Sequence, residues 1–207
     1  MPTSLLRRPV VRVLSALLLA VAITGCASTR VSRIEPNAVT DLSGRWNDTD
    51  SRLVANKLIE QTLTAGWTKR YTDTHGGEAP AIVVGSFTNR TMEHIAVGVF
   101  VKDIENALVN TGAARVVASG TERTDIRAER KDQQQNARAD TRSKLGQEMG
   151  ARYVLVGELQ AIEDVEGRER IVFYQVDASL IDLETNAKVW VGQHRIKKYI
   201  ERARFTL

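Results

Sequence analysis

Val172-Phe-Tyr-Gln-Val-Asp-Ala-Ser-Leu180 alternates between two kinds of side chain along its whole length. The even-numbered positions are all apolar or aromatic, whereas most of the odd-numbered positions are polar. Side chains on a β-strand point to opposite faces with a period of two, so this pattern indicates a strand with one buried face. We therefore predict a half-buried strand here.

Two further segments have strand-like composition. One is Arg152–Leu159, and the other is Lys188–Lys197, which alternates around Trp190. A polar turn from Glu163 to Glu169 is predicted after the first. A hairpin turn at Glu184–Ala187 is predicted before the last, with Asn186 as the residue in the left-handed conformation. Three consecutive strands joined in this way predict an antiparallel meander.

The segment upstream predicts a crossover unit. Ala81–Phe87 is a short apolar run rich in β-branched residues, which is typical of a buried strand. Helical spacing follows from Val97 to Leu108, and Gly112 stands where a C-terminal cap belongs. Arg115–Ser119 is a second short strand, so the unit has the size of a βαβ crossover.

Further helices are predicted from apolar spacing. Val54–Leu63 repeats an apolar pair every four residues behind the capping cluster Asn47–Asp50, and Gly66 should end this helix. Thr72–Pro80 is predicted as a loop. In the polar segment 121–149, at least the last two turns before Gly150 are predicted to be helical. Together these elements predict one globular α+β domain over residues 41–207, a mixed β-sheet flanked by helices that ends in an antiparallel meander.

The first 25 residues have the three zones of a secretory signal peptide. Arg7, Arg8 and Arg12 precede an apolar run from Val13 to Ile23. A run of about eleven residues is too short for a bilayer-spanning helix, which needs ~20. Residues 1–25 are therefore predicted to be a lipoprotein signal peptide, and residues 26–40 a short lipidated tether.

Ile23-Thr-Gly-Cys26 resembles the lipobox read by the lipoprotein signal peptidase. Cleavage would fall between Gly25 and Cys26, and Cys26, the single cysteine of the chain, would carry a diacylglycerol and an N-acyl chain. The alternative is ordinary secretion. Because Ala27 follows instead of aspartate, the expected location is the periplasmic face of the outer membrane, although the inner membrane stays open. Apart from these lipids, no cofactor is expected.

Charge argues against a nucleic-acid partner. The formal net charge is +4, but three of the 29 basic residues lie in the predicted signal peptide, which has no acidic residue. The remaining basic residues nearly balance the 25 acidic ones. Binding to nucleic acid requires clustered positive charge, which the polar segment 121–144, with its interleaved signs, does not have.

The residues give no pattern typical of catalysis or metal binding. His75, His94 and His194 are isolated, and no cysteine of the mature chain is free to join them. Four carboxylates, at Glu163, Asp164, Glu166 and Glu169, are expected in a solvated turn. The sequence contains no GxSxG, HExxH or phosphate-binding glycine motif. We therefore predict neither an enzyme nor a metal site.

Three groups of residues resemble the LpoB family of outer-membrane lipoproteins, which activate class A penicillin-binding proteins. Their order and spacing, and their position after a lipobox, carry the resemblance. The three groups are Asp41–Asp50, then Val84-Gly-Ser-Phe-Thr-Asn-Arg-Thr91 with the helix after it, then Gly150–Gly157 through Tyr174–Val176, Leu183–Thr185 and Val189-Trp190.

The resemblance implies a fold like the N-terminal domain of TolB and a non-enzymatic role. The lipid-anchored domain would dock on a regulatory domain of a bifunctional peptidoglycan synthase, a class A penicillin-binding protein, and raise its activity. Family members have a long, proline-rich tether, whereas residues 27–40 contain one proline and reach at most ~50 Å. The identity of the partner therefore stays open.

Candidate contact residues follow from position and residue type. Asn89, Arg90 and Thr91 lie between a predicted buried strand and a helix, where polar groups can face a partner. Arginine and tyrosine are favoured in interfaces, which adds Arg168, Arg170 and Tyr153. For each, an ordinary structural role is the competing interpretation. Two other functions stay open: a structural or secretion lipoprotein similar to the curli-export family, and a periplasmic hydrolase or glycan-binding protein.

Overall fold

The computed structural model describes residues 30–146 and 148–202. The predicted signal peptide and its cleavage and lipidation site at Gly25 and Cys26 lie outside the described residues. Residues 30–38 contain a turn at Pro36-Asn37 and no helix or strand, and a separate compact unit begins at Val39. Among the helices of the described part, none combines the length and apolar character needed to cross a bilayer.

The described elements alternate between helices and strands before a final run of strands. Helix α1 spans Asp48–Thr64, α2 Trp67–Thr74, α3 Gly98–Thr111 and α4 Gly120–Asn136. Strand β1 spans Ala81–Asn89, β2 Arg115–Val117, β3 Tyr153–Glu166, β4 Glu169–Asp182 and β5 Lys188–Glu201.

The five strands form one mixed sheet in the order β2-β1-β3-β4-β5. Strand β1 is parallel to β2 and to β3, whereas β3, β4 and β5 are antiparallel neighbours. The parallel β1–α3–β2 unit is the predicted crossover, and β3–β5 are the predicted meander. The prediction of an α+β fold with a mixed sheet is confirmed.

The core lies between one face of the sheet and helices α1, α2 and α3. On β4 the even-numbered residues from Val172 to Asp182 are all buried, and the odd-numbered ones are not, which confirms the alternation seen in the sequence. We call the buried side the helical face and the opposite side the open face. The largest fully buried side chains include Tyr174, Phe100, Leu58, Ile82 and Ile104.

Helix α1 begins at a capping box. The Asn47 side chain accepts the backbone N–H of Asp50, and the Asp50 carboxylate accepts the N–H of Asn47 at 2.9 Å. These two bonds satisfy donors that the first turn leaves unpaired. After α1, Gly66 adopts a φ of +68°, and α2 follows, so the predicted Thr72–Pro80 loop begins too early.

The predicted helix before Gly150 is wrong. Leu145 and Met149 are exposed, and none of the described residues around them is helical, whereas α4 occupies the start of the polar segment. A capping box starts α4: the Ser119 side chain accepts from Glu122 N, and the Glu122 carboxylate accepts from Ser119 N at 2.7 Å. No residue of α4 is buried, so this helix depends on its cap and its composition, which apolar spacing cannot detect.

The turn predicted from Glu163 to Glu169 is also too long. Strands β3 and β4 pair continuously up to Glu166 opposite Glu169, so the turn consists of Gly167 and Arg168. Gly167 has a φ of +57°, which suits a tight turn. The clustered carboxylates therefore lie mostly on exposed strand ends. At the second hairpin, Asn186 has a φ of +60°, as predicted.

Candidate partner-binding site

The β1–α3 loop, residues 90–97, is tied together by side chains at its start. Asn89 Nδ2 donates to the carbonyl of Glu93 at 2.7 Å. Asn89 Oδ1 accepts from the backbone N–H of Thr91 at 2.9 Å and from its hydroxyl at 2.8 Å. Asn89 and Thr91 thus use their polar groups within the loop, which leaves few of them for a partner.

Glu93 fastens this loop to the helical face of the sheet. Its carboxylate accepts the Tyr174 hydroxyl at 2.6 Å and the backbone N–H of Trp46 at 3.2 Å. Burial and the hydrogen bond to this carboxylate raise the pKa of Tyr174 far above its ordinary value. Tyr174 therefore remains a hydrogen-bond donor at any physiological pH.

Arg170 joins the loop to the β3–β4 hairpin. Its Nη2 donates to Glu163 Oε2 at 3.0 Å and lies 3.7 Å from Glu93 Oε1. The side chain of Arg170 is only 19% exposed. The guanidinium therefore neutralises the carboxylates of Glu163 and Glu93 in a partly buried position. Removing the Arg170 side chain would leave these two negative charges without a cation.

The chain segment before α1 is held by Lys198 of β5. The Lys198 ammonium lies 2.6 Å from Asp50 Oδ2 and donates to Asp41 Oδ1 and to the Arg45 carbonyl, both at 3.0 Å. Burial by itself lowers the pKa of Lys198, but the hydrogen bonds and charges of Asp50 and Asp41 outweigh it and raise the pKa. The segment is therefore fixed against the sheet by a charged centre.

Besides the small Ala96, the β1–α3 loop exposes three side chains. Arg90 and His94 are exposed, and Met92 is 102% exposed, while the Arg90 N–H donates to the Leu159 carbonyl at 2.8 Å. We call Arg90, Met92 and His94 the loop surface. Because its backbone is already ordered, a partner that binds it does not have to order the loop, which favours affinity.

The structure brings most of the predicted contact residues to one end of the sheet. Asn89, Arg90 and Thr91 meet the β3–β4 hairpin there through Glu93 and Arg170. Arg168, in the turn of that hairpin, is exposed.

Tyr153 lies elsewhere. It begins β3 opposite Ile82, whereas Leu159, farther along β3, pairs with Asn89. Tyr153 is 8% exposed and packs edge-on against Trp67 and Tyr71 of α2. Helix α2 therefore covers Tyr153 at this end of the helical face, and little of its side chain is accessible to a partner.

Sequence reasoning missed Met92, Glu93, Trp46 and Lys198. One of these had a signal: Lys198 falls on the helical face of β5, between Ile196 and Ile200, where the alternation calls for an apolar residue. A lysine at such a position indicates a buried ion pair. Within residues 30–146 and 148–202, no group of three histidine, aspartate or glutamate side chains is arranged to hold a metal ion.

Comparison with known proteins identifies one family. The model of the family described as peptidoglycan-synthase activator LpoB matches residues 50–196, which is more than half of the chain. This range includes most of α1, the whole β1–α3 loop and most of the meander. No curated protein sequence matches significantly.

Several solved structures are similar at low scores. A lipoprotein from Neisseria meningitidis has 14% identity and a TM-score of 0.38, over 61% of this chain and 88% of that one. The LpoB C-terminal domain from Escherichia coli has 18% identity and a TM-score of 0.34, over 66% and 98%. The PelC dodecamer from Paraburkholderia phytofirmans has 22% identity and a TM-score of 0.34, over 58% and 73%.

Proposed function

Because this chain belongs to the LpoB family of peptidoglycan-synthase activators, we propose that it is a lipid-anchored periplasmic regulator that binds and activates a bifunctional class A penicillin-binding protein. The observation that supports this most directly is the family match over residues 50–196. The resemblance of Asp41–Asp50 and Val84–Thr91 to the family supports a class A synthase as the partner, and the lipobox-like Ile23–Cys26 supports the lipid anchor.

The activator acts by binding. A partner can shift a synthase toward its active state only if it binds that state more tightly than the inactive one. This requires a stable contact surface and no chemistry of its own. The loop surface, presented on a backbone that Asn89 and Glu93 hold in place, has this property.

The lipid anchor sets where the regulator acts. Acyl chains on Cys26 would hold the domain at the periplasmic face of the outer membrane, since two or more chains give stable anchoring. The extended tether reaches at most ~50 Å. The synthase would therefore have to extend most of the remaining distance from the inner membrane.

The test uses the purified lipoprotein in detergent with a class A synthase of the same cell, and glycan polymerisation is measured. We expect faster polymerisation with the wild type and weaker activation with Arg90→Glu and Met92→Ser. Lys131→Glu, an exposed change on α4, is the control and should activate normally. If no class A synthase of that cell is accelerated, the proposal is wrong. If the loop variants activate like the wild type, the binding surface lies elsewhere.

A further inference from the structure

Strand β5 is an edge of the sheet along its 14 residues. It pairs with β4 on one side only, so every second residue points its backbone N–H and C=O away from the sheet. Gln193 is one of the residues whose backbone groups point outward. Its N–H and C=O bond to the side-chain amide of Gln61, in α1, at 3.0 Å each. The odd-numbered residues of β5 therefore have outward-facing backbone groups.

Gln61 closes the edge at Gln193, and the edge is open beyond that point. Among the described residues, no hydrogen bond reaches the outward backbone groups of Arg195, Lys197 or Tyr199. These residues and Glu201 are exposed, and Tyr199 is 58% exposed. An open edge of this kind is a template for another strand.

The side chains along this open edge complement themselves. When a second copy is placed antiparallel with Lys198 on the two-fold axis, Arg195 faces Glu201 of the second copy, and Lys197 faces its Tyr199. Odd-numbered residues then oppose odd-numbered residues, so each pair can exchange two backbone hydrogen bonds. All four side chains lie on the open face, where opposite charges and a cation over an aromatic ring attract.

Arg195, Lys197 and Glu201 all lack a salt-bridge partner within the part of the chain that the structure describes. Among the described residues, the one hydrogen bond of the Arg195 side chain is from Nε to Gln175 Oε1 at 3.2 Å. Charged residues on an edge strand usually prevent pairing, because like charges meet. Here the two-fold arrangement brings unlike groups together.

We propose that two copies of this chain pair through residues 195–201 of β5, so that their sheets become continuous. The paired edge is seven residues long and ends where Gln61 caps Gln193. Such an edge buries less than the ~800 Å² per partner of a typical stable complex, so the dimer is weak and depends on concentration.

Sedimentation velocity of the full-length lipoprotein tests this, with detergent micelles in excess so that two lipid anchors do not share one micelle. We expect a monomer–dimer equilibrium. Arg195→Glu and Glu201→Arg should each weaken dimerisation on the order of tenfold, because each creates two like-charged pairs. The double variant restores both pairs in reversed order and should recover the wild-type affinity. Lys188→Glu, at the other end of β5, should change nothing.

The proposal is overturned by a wild type that stays monomeric at the highest soluble concentration. It is equally overturned by a dimer that both single variants leave intact, or by a double variant that does not recover. Unfolding temperatures of the four variants, measured in parallel, confirm that the exposed changes leave the fold intact. Since no synthase is present, this outcome is independent of the proposed activation.

Discussion

At the scale of single residues, a few buried or partly buried polar side chains fix the candidate site. Glu93 is 17% exposed and receives hydrogen bonds from Tyr174 and from the backbone of Trp46. The ring of Trp46 in turn packs edge-on against Tyr174, with centroids 5.3 Å apart. These contacts join the β1–α3 loop, the sheet and the segment before α1 at one carboxylate.

Removing the Tyr174 hydroxyl tests the importance of this carboxylate. We expect Tyr174→Phe to lower the free energy of unfolding by about 2 kcal/mol, because a partly buried charged acceptor loses its shortest hydrogen bond. Thermal or denaturant unfolding measures this. Tyr199→Phe, which removes an exposed hydroxyl, is the matched control. Equal stability of the two variants would contradict the role given to Glu93.

His194 gives the protein a pH-dependent stability. Burial, with the nearby charge of Lys57 as a smaller cause, lowers the pKa of His194 from its ordinary 6.5. The unfolded chain therefore takes up a proton at a higher pH than the folded chain. The contribution of neutral His194 to the free energy of unfolding should be fully present above pH 6.5. It should decrease as the pH drops from there toward the lowered pKa of the folded state.

The free energy of unfolding, measured between pH 7.5 and 5, checks this. His194→Gln should reduce the slope of that free energy against pH. If the free energy of unfolding of the variant depends on pH as steeply as that of the wild type, another group causes the pH dependence.

At the scale of elements, helices α1 and α4 have equal length and a capping box each, but they differ in packing. Helix α1 buries Val54, Ala55 and Leu58, whereas α4 buries no residue. Helix α4 is held mainly by its cap and by Arg127 and Arg130, which pair with Glu148 at 2.8 and 3.2 Å. Exposed ion pairs of this kind contribute little stability.

Hydrogen exchange should separate these two helices. Local opening is easiest where few apolar contacts are buried, so the amides of α4 should exchange much faster than those of α1 at neutral pH. Mass-spectrometric hydrogen–deuterium exchange measures both helices in one sample, with α3 as a second packed reference. Similar protection of α1 and α4 would mean that α4 has a stabilising contact that its exposure does not reveal.

At the scale of the whole molecule, the proposed anchor determines where the domain can act. The domain has its own core between the sheet and helices α1–α3, and its candidate contact surface needs no lipid to form. The lipid would therefore contribute location and local concentration only, and the domain would contribute recognition.

Cys26→Ser separates these two contributions. The variant should lose its association with membranes and its palmitate label, because serine offers no thiol for the thioether. The purified variant should still accelerate the synthase in detergent, since the domain is unchanged. Cell fractionation measures the first result and glycan polymerisation the second. Unchanged membrane association would contradict the lipid anchor.

Much of this fold could be predicted from local patterns in the sequence. The alternation from Val172 to Leu180, the spacing from Val97 to Leu108 and the turn at Asn186 each depend on residues that are neighbours in the chain. Strand period, helix period and backbone conformation act over a few residues, so the sequence alone determined the strands, most helices and the meander. Helix α4 was misplaced because its signal is a cap, with no apolar side.

The candidate site depended on the tertiary structure. Glu93 meets Tyr174 across 81 positions of the chain, and Lys198 reaches Asp41 across 157. No short pattern encodes such pairs, because they form only when the helices pack on the sheet and the meander brings its strands into register. The sequence thus determined the elements and the family. Packing determined that Tyr153 lies in the core and that Arg90, Met92 and His94 lie on the surface.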